Sequence, residues 1–187
     1  MPVLNAASRR LFFFLFLLGG MGDAAQAQQS REYDLKAAFL YNFASFVEWP
    51  PQAFENDGAP FIIGVIGRDP FGTTLDDLVR GERAKGRQLI IRRFHAVQMV
   101  RGCHILFVSS SERYRLHDIL RHARGHAVLT VSDINGFTAS GGMIGFRTEQ
   151  QRIVLQVNPA AAAAAELTIS SKLLRVARVA PSEAMSP

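Results

Sequence analysis

The chain has 187 residues, 48% of them hydrophobic and 20% charged, with a formal net charge of +5 and a single cysteine. That length supports one domain with a sizeable core. The basic excess is small and scattered, without the aromatic-interleaved stripe that nucleic acid needs, so no nucleic-acid partner is expected. A lone cysteine also excludes an intramolecular disulfide, which leaves packing to hold the fold.

In chain order, Arg9-Arg10 precedes the apolar run Leu11–Leu18 and the small-residue signal Ala25-Gln26-Ala27. This pattern predicts a signal peptide over residues 1–27, cleaved after Ala27, and export to a bacterial periplasm. The apolar run is well short of the ~20 residues that a spanning helix needs. The domain is then expected over 28–180, and Pro181 opens a tail, 181–187, expected to be disordered.

Asp34–Pro50 reads as a helix with Asp34 as N-cap and Pro50-Pro51 as the stop. Leu35, Phe39, Phe43, Phe46 and Trp49 form its apolar face, read as core laid across a sheet. Phe61–Gly67, Ile105–Val108 and Ala127–Val131 are continuously apolar, as strands covered on both faces are. Gln88–Phe94 is a strand whose arginines indicate a less buried place. Short helices are predicted at Thr73–Gly81 and Arg113–Arg124. Met143–Phe146 and Ile153–Val157 flank a polar turn and predict an antiparallel hairpin. Asn158-Pro159 is an N-cap followed by proline at the first helical position, which starts a helix through Ala160–Ala165. Leu167–Ala177 is a last amphipathic segment. The fold class is a single α/β domain, a mixed and mostly parallel sheet flanked by helices, with the hairpin near the C-terminus.

Two strand-end loops could touch a small ligand. Gly67–Gly72 carries Arg68 and Asp69, and Asp133 would lie near Arg68 if their strands are neighbours. The loop matches neither G-x-G-x-x-G nor a Walker motif. His117 and His122 are five apart, so they cannot share a helix face, and neither H-E-x-x-H nor G-x-S-x-G occurs; no metal, cofactor or enzymatic activity is expected. Cys103 reads as a buried, inert thiol. A protein-partner surface is placed in the C-terminal third: Phe146 at the hairpin, then Ile169 and Val176 beside Lys172 and Arg175, provided Leu173, Leu174 and Ala177 pack inward.

Seven segments in order, KAAFLYNFASFVEWP, GVIGRDPFG, CHILFVS, LTVSD, GGMIGF, IVLQVN and ISSKLLRVA, resemble YfiR-like proteins over about Leu35 to Ala177. The resemblance implies a periplasmic α/β domain that binds the periplasmic region of an inner-membrane diguanylate cyclase. It would repress that cyclase and so lower cyclic di-GMP and biofilm formation. It also implies an OmpA-like outer-membrane lipoprotein that sequesters the repressor; a homodimer is a further assembly to consider. Gly64 stands where a partner for Cys103 is expected from the family, so disulfide-based sensing is not expected. The competing reading is a periplasmic small-molecule-binding protein or minor enzyme that uses the strand-end loops.

Overall fold

The computed structural model describes residues 20–180; residues 1–19 of the expected 1–27 signal peptide, and the expected 181–187 tail, lie outside the described residues. Helix α1 (Gly20–Phe46) continues upstream through Asp34. Asp34 is therefore not an N-cap; its carboxylate accepts from the Thr74 hydroxyl at 3.1 Å. Leu35, expected on the packing face, is 48% exposed, whereas Leu40 and Phe43 are fully buried. The helix ends at Phe46, ahead of the prolines, because Val47-Glu48 (β1) pairs antiparallel with Thr168-Ile169 (β9). Trp49 lies beyond the helix, its ring edge-on to Phe61 at 4.8 Å.

The main strands are β2 (Phe61–Ile66), β3 (Arg83–Ala84), β4 (Arg87–Phe94), β5 (Ile105–Val108), β6 (Leu129–Ser132), β7 (Ile144–Glu149), β8 (Arg152–Val157) and β10 (Arg178–Val179). They form one eight-stranded sheet in the order β10-β8-β7-β6-β5-β2-β4-β3. The pairs from β4 to β7 are parallel, β7–β8 is the antiparallel hairpin, and β10 returns parallel to β8. Two further helices precede the hairpin, α2 (Thr74–Val79) and α3 (Leu116–Ala123).

Period-two alternation sends successive side chains to opposite faces. Phe61, Ile63 and Val65 of β2 join Phe107 and Val131 beneath α1, against Ala37, Leu40 and Phe43. Ile62 and Ile66 join Leu106 and Val108 beneath α3, against Leu116, Ile119 and Leu120. Both faces of the central strands are thus covered, which is why they read as unbroken apolar runs. On β7 and β8 one face is the buried apolar one: Ile144, Phe146, Leu155 and Val157 join the α1-side core. Their other face carries Arg147 and Gln156 and opens into a groove.

The C-terminal segment follows its capping signals. Asn158 Oδ1 accepts from the Ala161 amide at 3.0 Å and starts α4 (Pro159–Ala164). Leu167–Ala177 is not one helix but β9 followed by α5 (Ser171–Val176). Ser170 caps α5 by accepting from Leu173 N–H at 3.3 Å.

Candidate functional site

The parallel strands end in a polar knot against α1. Lys36 is 3% exposed and sits between two carboxylates, Glu32 and Asp133, at 2.7 Å from each. Tyr33 donates its hydroxyl to the same Asp133 oxygen at 2.9 Å, and Thr148 of β7 donates to Glu32 at 3.0 Å. The second Asp133 oxygen is buried with no hydrogen-bond partner among the described residues. Burial, with the Asp133 charge and hydrogen bond adding to it, pushes the Tyr33 phenol well above its usual range. Burial opposes ionisation of Glu32, but its hydrogen bond and ion pair with Lys36 outweigh that and lower its pKa. Tyrosine, lysine and two carboxylates together look like catalytic chemistry. Here every one of these side chains is engaged in joining α1 to the ends of β6 and β7.

The ligand site expected from Arg68, Asp69 and Asp133 is not assembled. Strand β5 lies between β2 and β6, so the loops carrying Arg68 and Asp133 are not neighbours. Asp133 pairs with Lys36 instead. Asp69 turns its loop by accepting from the Phe71 amide at 2.8 Å, and its other oxygen accepts from Arg93 at 2.7 Å. Arg93 also holds the Asp76 carboxyl below the ordinary carboxylate range through a hydrogen bond. The Arg68 side chain is exposed, while its amide donates to Ser111 Oγ at 2.9 Å. Among the described residues no group of three or more His, Cys, Asp or Glu is placed to hold a metal.

At the other ends of the strands sits a buried histidine that sequence reasoning did not single out. His104 Nδ1 accepts from Ile62 N–H at 3.0 Å, which leaves the proton on Nε2 to face Ala53 O at 3.1 Å. Its ring stacks between Phe54 and Phe61, at 4.4 and 4.8 Å. Trp49 donates its indole N–H to the His104 carbonyl at 3.2 Å. Burial, with the Arg87 charge adding to it, lowers the imidazole pKa to about 4. Next in sequence, Cys103 is buried, and burial pushes its thiol far from ionisation. A Cβ on Gly64 would stand 2.9 Å from Cys103 Sγ and 2.4 Å from the Phe94 ring, so glycine is required there by close approach.

The C-terminal rim differs in kind. Phe146 is 3% exposed and stacks on Phe43 at 6.1 Å, so it belongs to the core and not to a surface. The alternation of Ile144 and Phe146 carries that signal. Ile169 is half-buried, tied to Val47 through β9 and packed on the α1-side core. Leu173 is buried, with Leu174 and Ala177 packed partly against the same core. That orientation turns Val176 outward, 72% exposed, and Val179 of β10 is 56% exposed beside it in sequence. Lys172, Arg175 and Arg178 on the same two elements are exposed as well.

The molecule is thus a single α/β domain with a buried thiol and exposed apolar side chains, Val176 and Val179, near its C-terminal end. Its sequence matches the YfiR/HmsC-like family model, DUF4154, over residues 33–178, and the chain belongs to that family. That family is one of periplasmic regulators of cyclic di-GMP signalling. No curated protein matches it. A solved structure of a conserved domain protein from Vibrio cholerae O1 biovar El Tor N16961 is similar at 13% identity with a TM-score of 0.47. The alignment covers 63% of this chain, which spans about half, 54%, of the Vibrio chain. Among the described residues no helix is long and apolar enough to cross a membrane.

Proposed function

We propose that this chain represses a membrane-anchored diguanylate cyclase by binding the cyclase's periplasmic region, and so lowers cyclic di-GMP and biofilm formation. The observation that supports it is the exposed pair Val176 and Val179 in a setting of Lys172, Arg175 and Arg178. Apolar side chains left in water amid polar neighbours are what a protein contact covers. Ile169, half-buried on β9, is proposed as a further contact. An OmpA-like outer-membrane lipoprotein is the proposed competitor for the repressor, which acts after cleavage of residues 1–27. Deleting the gene should raise cellular cyclic di-GMP, and the exported chain supplied in trans should lower it again. Cyclic di-GMP unchanged in both strains, with the protein present in the periplasm, would contradict the reading.

A further inference from the structure

The face of β7, β8 and β10 opposite α1 opens into a groove of about 790 Å³. Its small-residue lining comes from α4, with Ala160, Ala161 and Ala164, and from the 136–141 loop, with Gly136 and Gly141. Side chains this short let a bound main chain approach closely. The charged groups that line it are Arg124, Arg147 and Arg178, carried by three different elements, with no carboxylate among the lining residues. Arg124 makes no ion pair among the described residues. Glu149 neutralises part of the charge, at 2.9 Å from Arg178 and 3.8 Å from Arg147. The balance remains positive, and the cations are distributed along the groove instead of converging on one point.

The groove also reaches a sheet edge that is free among the described residues. β10 is the outermost strand, and Ala180 N–H donates inward to Val157 O at 2.7 Å. Strand alternation then turns the Val179 amide outward, where no strand among the described residues pairs with it. An extended segment lying there meets main-chain partners at the edge, small side chains beneath it and arginines along it. Those three features together define strand addition with acidic side-chain recognition.

We propose that this groove and the outer edge of β10 receive an extended, acidic segment of a protein partner, with carboxylates on Arg124 and Arg147 and its main chain against Val179. The inference holds whether or not the partner is a cyclase. The probe is a short synthetic peptide alternating glutamate with valine, tested on the full mature chain beside its lysine-for-glutamate counterpart. The glutamate peptide should bind and slow hydrogen exchange at the Val179 amide. The Arg124→Glu/Arg147→Glu double variant should weaken that binding at least about tenfold at an unchanged melting temperature. Should the double variant fold poorly, the same peptide N-methylated at alternate residues tests the main-chain contact on the unaltered protein and should lose binding. Four results would overturn the proposal: no binding, equal binding of the lysine peptide, binding without protection of Val179, or full displacement by free citrate. The last would make this a site for small anions.

Discussion

The Lys36 knot and the Val176 rim are opposite kinds of surface on one domain. Around Lys36, chemically rich side chains are buried and committed to one another. Around Val176, chemically plain side chains are left in water. Charged groups converge in a core only where partners offset their desolvation, so the knot is accounted for by the fold it holds. Nothing among the described residues covers the exposed valines. The region that resembles an active site is a staple, and the region that resembles nothing in particular is where we propose that an outside partner fits.

The contrast can be broken most forcefully at Lys36. Lys36→Met leaves Asp133 buried and uncompensated, and should cost about 3–5 kcal/mol in urea unfolding. Replacing both partners, Lys36→Met with Asp133→Leu, should recover most of that loss. A single variant within about 0.5 kcal/mol of wild type would show that the knot is surface-like after all.

Next in size is a pH effect confined to the buried side. His104 has a folded-state pKa of about 4 against an ordinary 6.5, so the unfolded chain takes up its proton first as pH falls. Its contribution is fully present above pH 6.5 and is lost as pH falls toward 4, on the order of 3 kcal/mol over that window. Wild type should therefore lose stability more steeply than His104→Gln between those pH values. Parallel slopes would mean that the imidazole titrates freely.

Gly64 sharpens the same contrast on a smaller scale. Gly64→Ala forces a methyl against Phe94 and Cys103 and should cost about 1–3 kcal/mol. Gly64→Cys should form a disulfide with Cys103, so that its melting temperature falls on adding dithiothreitol while wild type does not respond. A reductant-dependent melt of monomeric wild type would contradict the buried, unpaired thiol.

What could be read from the sequence was what local pattern controls. FIIGVI and ILFV announced strands covered on both faces, and Asn158-Pro159 announced the start of α4 through a cap that needs no distant partner. Asp34 misled because a good capping residue is also tolerated inside a helix when something else takes its carboxylate, here Thr74. Lys36 in EYDLKAA has the pattern of a solvated charge. Its partner Asp133 is 97 residues away and is brought to it only by strand order. That same order, with β5 between β2 and β6, separated Arg68 from Asp133. His104 carried no local signal either, since its meaning comes from the Ile62 amide across a strand pair. At the rim, the inward packing of Leu173 was legible from helical spacing and correctly turned Val176 outward, whereas Phe146 was misplaced by reading the hairpin as an edge instead of by its alternation.

We propose that the rim binds while the core only holds. The most direct test is Val176→Asp, measured for both stability and affinity toward the periplasmic region of the cyclase. The substitution should leave unfolding free energy within about 0.5 kcal/mol of wild type. It should also weaken binding by roughly thirtyfold, the equivalent of about 2 kcal/mol, and raise cellular cyclic di-GMP. A folded Val176→Asp protein that binds that region with wild-type affinity and represses fully would contradict the account.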